Sequence, residues 1–511
     1  MTDPATSKPS KQAYAQRTSR GLFWMLIASM INKGGAFVAQ IVLGWLLLDE
    51  DFGLYAIAIS VSSLVQIFRD GGTRKIVVQR GERHFARLCP SVFWMATGFN
   101  VAAAALLAIG AYPIALLYQE PELTVMILVL ALSCLVGTPD TMYRAWLSVQ
   151  MRFRELARVQ LASGLIRSAS MILLAVMGAG AQSFVWPAVL AALGSWIMGR
   201  LLCGPLPLAG RLRPVLWRIL LASSIWLIVG SGAMMMTRQG SYMILGLFHD
   251  PAIIGVYFFA YQLLMQLNQL LAANIQSVLL PTLSAVQREQ HRFTGAVIRS
   301  SQSMMIISSA FAMSVSVGSG DLIRFVWGSK WESSIPAVLW MGAFFPTRML
   351  LNVFEPTMQA RGRYRTWAFV SIAQAVILLV ATLIVSIVGE TPGDFAIGIG
   401  VGLLVSLLVG WFAGLPRIGV PVWSVLRGCM PAYAIGIVVY AIVVYARFEL
   451  GFETTLPRAR LVAQGIGSAL IFLGAYVLII RVLMPGALSN TCDALPGKLA
   501  RHCRRVLMLK K

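Results

Sequence analysis

Charged side chains are scarce in this chain: they make up 12% of its 511 residues, only 20 of them are acidic, and hydrophobic residues reach 58%. A soluble globule of this size needs more polar surface than that to cover itself, so the soluble class is excluded and lipid is the expected solvent. Cysteine is equally thin. The six present (Cys89, Cys134, Cys203, Cys429, Cys492 and Cys503) show no CxxC spacing, which removes a disulfide framework and a zinc site from consideration. No Walker A sequence, nucleophile elbow or Gly-rich dinucleotide loop occurs. ATP hydrolysis and most soluble chemistries therefore have no machinery, and neither a cofactor nor a metal is expected. Large outer polar connections are missing too, since the longest of them, around Arg447 to Arg460, is too small to fold as a domain. A cleavable signal is not expected either. Lys8, Lys11, Arg17 and Arg20 lead into an apolar run longer than a signal core, so the first span stays as an anchor.

What the chain does have is about fourteen apolar stretches of spanning length, each near 20 residues. They cover 21–48, 54–78, 88–112, 123–147, 157–178, 183–203, 219–246, 254–279, 298–319, 334–355, 367–388, 395–416, 429–447 and 461–484. Of the 42 basic residues, 34 fall on the side of every second connection. Arg238, Arg324, Lys330, Arg447, Arg458 and Arg460 fall on the other side, and Lys33 and Arg167 lie inside apolar stretches. Acidic residues run the opposite way, with Asp49, Glu50, Asp51, Glu120, Glu122, Asp250, Glu390, Asp394, Glu449 and Glu453 on the sparsely basic side. Such a split predicts a multi-pass protein of a bacterial inner membrane with both termini in the cytoplasm. The net charge of +22 then belongs to anionic headgroups rather than to nucleic acid, each basic residue there contributing roughly 1 kcal/mol.

An internal repeat is legible. Leu43-Gly44 is followed by Asp49, Gly53 and Tyr55, and Leu245-Gly246 by Asp250, Gly255 and Tyr257, with equal Gly-to-Gly and Gly-to-Tyr spacings. A weaker echo places Pro139 in the fourth stretch and Pro346 in the tenth. The expected fold is an all-α polytopic membrane protein of two six-helix lobes, 21–204 and 219–416, joined by a cytoplasmic linker at 205–218. A cytoplasmic tail at 1–20 precedes the lobes; two additional helices at 429–484 and a basic cytoplasmic tail at 485–511 follow them. Repeats in the same orientation are a transporter architecture, with the substrate path between the lobes.

Ionisable residues at membrane depth cost about 2.5–3.5 kcal/mol each and are functional hypotheses by default. Lys33, after Asn32, sits near the middle of the first stretch and Arg167 near the middle of the fifth, with no acidic residue within helical reach on the same segment. Two readings stand: the pair lines a water-filled cavity, or each side chain snorkels to an interface. The second stretch reaches spanning length only if it continues from Phe68 through Arg69-Asp70-Gly71-Gly72 to Val78, which implies a distorted helix; the alternative is a helix that ends at Phe68. Asp140 and Arg144 share a helix face, as do Arg348, Asn352 and Glu355, and the two stripes read as a polar vestibule or as local pairs that neutralise themselves. Gln262, Gln266, Asn268, Gln269, Asn274 and Gln276 in the eighth stretch suit a sugar path and suit helix packing almost as well. The Met-rich segment Met234-Met235-Met236 reads as packing.

Several motifs together resemble a family. Asp51-Phe52-Gly53-Leu54-Tyr55-Ala56, Phe68-Arg69-Asp70-Gly71-Gly72, Gly255-x-Tyr257, Leu280-Pro281-Thr282-Leu283-Ser284 leading to Gln287, and Trp327-Gly328-Ser329-Lys330-Trp331 are similar to segments of the Wzx-type oligosaccharide flippases. That group belongs to the multidrug/oligosaccharidyl-lipid/polysaccharide superfamily. The resemblance implies a flippase, not an enzyme, that moves undecaprenyl-diphosphate-linked oligosaccharide to the periplasmic leaflet by alternating access, for O-antigen or exopolysaccharide synthesis. It implies a cationic substrate path at Lys33 and Arg167, to which Arg69, Arg238 and Asn32 are added. Asp70, Asp140 and Glu355 are expected ion-coupling acids, and Arg144, Arg348 and Asn352 line the vestibule. Expected partners are the lipid-linked oligosaccharide, membrane lipids, and the polysaccharide polymerase and glycosyltransferases. Competing readings are a lipid II flippase, also of fourteen helices, and a multidrug or cation antiporter, which the midplane cations and the extra helix pair disfavour. A polymerase or ligase is expected to carry a sizeable outer loop, which is missing.

Overall fold

A computed structural model describes residues 11–70, 82–206, 214–449 and 458–493. Among them are fourteen long helices. These are α1 (Lys11–Leu46), α2 (Asp49–Asp70), α3 (Glu82–Leu117), α4 (Glu122–Val149), α5 (Phe153–Val176), α6 (Gln182–Cys203), α7 (Pro214–Leu245), α8 (Pro251–Ala285), α9 (Gln290–Trp327), α10 (Ile335–Ala360), α11 (Tyr364–Val388), α12 (Pro392–Gly414), α13 (Val422–Glu449) and α14 (Arg458–Leu483), followed by a short α15 (Pro485–Asp493). No strand occurs among the described residues. That is the expectation for lipid, where each backbone N–H and C=O must be satisfied within its own segment. Eleven of the described helices are long and apolar enough to cross a membrane. The other three, α2, α8 and α7, run 22, 35 and 32 residues and overlie the expected second, eighth and seventh stretches.

Local chemistry sets the ends. Thr391 and Asp394 form a capping box at the start of α12, with Pro392 in its first turn. Gly328, with φ 67°, ends α9, because a left-handed residue there costs a glycine little. The second stretch needs a correction. Its helix starts at Asp49, earlier than the expected 54, because Asp49, Glu50 and Asp51 occupy the first turn and complement the positive end of the helix dipole. Twenty-two residues span about 33 Å, so reaching sufficient length does not require Gly71-Gly72, which lie outside the described residues. The helix also runs past Phe68 to Asp70. Pro139 and Pro346 both lie inside helices, α4 and α10, as transmembrane helices tolerate.

Two compact units are present: residues 1–48 with 61–228, and 49–60 with 229–511. In the first, α1 packs on α5, α3 on α4, and α6 on both α4 and α5. In the second, α9 is the hub, touching α8, α10, α13, α14 and α15. It serves as a hub because it is built from small residues: Ser301, Ser303, Ser308, Ser309, Ser316 and Ser319 are buried along it, letting neighbouring backbones come close. Ser316 donates to the Val338 carbonyl at 2.7 Å, and Tyr440 of α13 donates to the Leu339 carbonyl at 2.7 Å. A Cβ on Gly318 would stand 2.5 Å from the Gly465 carbonyl oxygen of α14. The two C-terminal helices are thus part of the second unit's core. Gln374 and Ser406 bind α11 to α12 by two reciprocal 3.1 Å hydrogen bonds.

Candidate functional site

Lys33 is half-buried on α1 and Arg167 exposed on α5. The two helices run in the same direction side by side: Asn32 meets Gln160 and Gly164, and Gly35 meets Ser168. This register brings residues 33 and 167 within one helical turn of the same level. Gly164 is required for the approach, since a Cβ there would stand 2.1 Å from the Asn32 amide oxygen. Asn32 donates to the Gln160 carbonyl at 2.9 Å, while its own oxygen is buried without a hydrogen-bond partner among the described residues. Asn32 therefore occupies the α1–α5 contact, and the helix packing it controls sets the level of Lys33.

The two vestibule stripes differ. Arg144 pairs with Asp140 at 2.8 Å and also donates to Ser195 of α6 at 3.1 Å, so the pair neutralises itself and ties α4 to α6. Arg348 makes no such pair with Glu355 among the described residues. Its guanidinium lies 5.0 Å from the ring centre of Tyr261 on α8, a cation–π contact, and Glu355 accepts a 2.9 Å hydrogen bond from Gln359. Among the described residues, Asn352 reaches the Met349 sulfur, at 3.9 Å. Arg238 is exposed on α7. Arg69 and Asp70 are the last residues of α2, and their side chains lie outside the described residues, as do those of Asn268, Gln269, Asn274 and Gln276. Cavities among the described residues include one of about 530 Å³ beside Trp196 and Arg200 and one of about 300 Å³ beside Asp321 and Arg447. None of the candidate site residues drawn from the sequence lines either of them.

Sequence reasoning missed a buried ion pair. Asp321 of α9 is 2% exposed and accepts from Arg447 of α13 at 2.7 Å, and Arg447 also donates to Ser468 of α14. A signal was there: a carboxylate directly after Gly318-Ser319-Gly320 in a helix otherwise rich in apolar residues. Its partner lies 126 residues away, which no local pattern reveals.

A family model described as "Polysaccharide biosynthesis protein" matches residues 42–336, more than half of the chain. The lipopolysaccharide biosynthesis protein WzxC of Escherichia coli (strain K12) is 21% identical over 451 residues, covering 83% of this chain and 88% of that one. The succinoglycan biosynthesis transport protein ExoT of Rhizobium meliloti (strain 1021) is 23% identical over 335 residues, covering 63% of this chain and 65% of that one. Among solved structures, the lipid II flippase MurJ in an inward closed conformation superimposes with a TM-score of 0.68 at 12% identity, over 90% of this chain and 99% of that one. An inward-facing multidrug resistance MATE family transporter follows at 0.62 and 13%, over 78% of this chain and 98% of that one. Both share the fold. The helices, the two curated relatives and the match across 42–336 converge: this chain belongs to the polysaccharide biosynthesis protein family, as a Wzx-type flippase of the multidrug/oligosaccharidyl-lipid/polysaccharide superfamily.

Proposed function

We propose that the protein moves undecaprenyl-diphosphate-linked oligosaccharide from the cytoplasmic to the periplasmic leaflet by alternating access, with both termini in the cytoplasm. The observation that carries the reading is family membership. The parallel α1–α5 contact, which sets Lys33 and Arg167 at one level, supports it. A sugar diphosphate cannot cross hydrocarbon unaided, and cationic groups in a wet path replace part of the hydration it loses. Outward movement of one net negative charge from a negative interior is favoured by about 2.3 kcal/mol per 100 mV. Of the coupling acids, Asp140 is offset by Arg144 whereas Glu355, among the described residues, meets a neutral amide, so Glu355 is the better proton or ion carrier.

Deleting the gene is expected to leave lipid-linked oligosaccharide accumulated on the cytoplasmic leaflet while its assembly continues, as measured by leaflet-selective labelling. Failure to assemble the lipid-linked unit would point to an enzymatic role, and depletion of peptidoglycan precursor export to the lipid II reading. Lys33→Ala and Arg167→Ala are each expected to lower polysaccharide export about tenfold at normal membrane abundance, the loss expected for one contact with a charged group. Lys33→Arg is expected to be milder than Lys33→Glu, because charge matters more than shape in a wet path. Equal tolerance of Ala, Arg and Glu at both positions would falsify the cationic path.

A further inference from the structure

The C-terminal turns of α9 and α13 and the N-terminal turns of α10 meet in the second unit around the cavity of about 300 Å³. Its floor is charged and its wall apolar. Asp321 and Arg447, paired at 2.7 Å, are the least exposed of its polar side chains, at 2% and 17%. Arg324, one turn further along α9, is more open and pairs at 2.6 Å with Glu332, whose side chain is 45% exposed. Leu339, Val444 and Phe448 supply the apolar wall, and Phe448 is 83% exposed. An open phenyl ring on a spanning helix marks the side of the cavity that faces lipid. Beside Val444, the exposed Tyr445 donates its hydroxyl at 2.7 Å to Glu449, the last residue of α13. A ring with a polar tip at the end of a spanning helix belongs at the headgroup level of the bilayer, so the cavity opens where phospholipid headgroups lie.

The charges decide which headgroup fits. The guanidinium groups of Arg324 and Arg447 stand against the carboxylates of Asp321 and Glu332, so the cluster is neutral as a whole. A lipid gains little there from net negative charge, whereas a headgroup carrying a phosphate and an ammonium meets both signs. Guanidinium suits phosphate because its N–H donors form a planar fork that matches two phosphate oxygens. Glu332 occupies one edge of Arg324, through Nε at 2.7 Å and one amino nitrogen at 2.6 Å; among the described residues no hydrogen bond occupies the second amino group. An ammonium finds the exposed Glu332 carboxylate beside it. A polyprenyl phosphate offers the phosphate without the ammonium and leaves the carboxylates repelling it.

We propose that the cavity between α9, α10 and α13 binds one zwitterionic phospholipid of the phosphatidylethanolamine type, its phosphate on Arg324 and Arg447, its ammonium on Glu332 and its acyl chains along Val444 and Phe448. The site concerns the lipid around the protein and not its cargo, so it does not depend on the transport reading. Its test titrates the full chain, purified in detergent and stripped of lipid, with phosphatidylethanolamine while native mass spectrometry counts the lipid bound. Arg324→Gln and Val444→Trp are each expected to weaken the tightest binding about tenfold, the first by removing a charged phosphate contact and the second by filling the cavity. Arg363→Gln, which alters an exposed cation outside the cavity, is expected to leave it unchanged. Binding at this site is the part that Val444→Trp removes. Within that part, phosphatidylethanolamine is expected to exceed both phosphatidylglycerol, which lacks the ammonium, and diacylglycerol, which lacks both charges. Glu332→Gln is expected to narrow the preference over phosphatidylglycerol while the phosphate contact persists. Unchanged binding in both Arg324→Gln and Val444→Trp overturns the site. Phosphatidylglycerol or diacylglycerol held there as tightly as phosphatidylethanolamine overturns the zwitterionic match, and tighter binding of undecaprenyl phosphate makes the cavity a cargo site instead. Should Val444→Trp fail to accumulate, Leu339→Phe fills the same cavity and takes its place.

Discussion

Gly53→Ala and Gly255→Ala are each expected to destabilise the protein sharply, seen as a lower midpoint of thermal unfolding in detergent and lower membrane abundance. In each case the added methyl would meet a backbone carbonyl oxygen at 1.8 Å, and an ordinary carbon–oxygen contact needs about 3.3 Å. The obstacle is main chain, so no flexible side chain can swing aside, and α2 and α8 must move apart by about 1.5 Å. Overpacking of this sort costs about 1–3 kcal/mol or more, exceeding the roughly 1 kcal/mol that Ala gains over Gly in a helix interior. Gly98 and Gly137 sit in helices with nothing within 4 Å of an added Cβ, so Gly98→Ala and Gly137→Ala are expected to leave the midpoint unchanged or slightly raised. One separation of the helices accommodates both methyls, so the double variant is expected to cost less than the sum of the two single ones. Strict additivity, or tolerance equal to that at Gly98, would show that the crossing is loose.

Asp321→Ala or Arg447→Ala is expected to cost about 3–5 kcal/mol, because each removes the counter-charge of the other buried group. Asp321 is 2% exposed and the Arg447 side chain 17%, so solvent screens neither well. The loss is expected to fall on the docking of α13 and α14 against α9, where Arg447 joins Asp321 to Ser468. The unfolding midpoint should then drop. Asp321→Leu combined with Arg447→Met is expected to recover most of the stability, since exchanging a buried pair for apolar groups is close to neutral. A double variant as unstable as either single one would mean that the charges do more than join the helices.

The stripes on α4 and α10 show where local reading stopped. The four-residue spacing of Asp140 and Arg144 was legible because one helix carries both partners, and the pair formed at 2.8 Å. The same logic applied to Arg348, Asn352 and Glu355 gave no pair, because Tyr261 on another helix offered Arg348 a ring face. Asn32 shows the same limit. Its position beside Lys33 was visible, but its fit against Gly164 depends on how α1 and α5 are paired. Asp70 was singled out because the second stretch seemed too short without it, and the acidic first turn of α2 supplies the missing length instead.

By itself the sequence determined the solvent, the helices and the repeat. Lipid leaves a chain no spanning element here except helices that satisfy their own backbone, and apolar length is read residue by residue along one segment. The matched glycines at 53 and 255 were likewise visible as spacing. Only tertiary structure decided that these glycines cross each other's helices, that Phe52, Phe259 and Trp331 stack beside them, and that Asp321 meets Arg447. Lipid tails are as apolar as the helix faces, so partners are chosen by small residues that let backbones approach and by buried polar groups that need one another. Both depend on the shapes of two segments at once, which no single stretch of sequence contains.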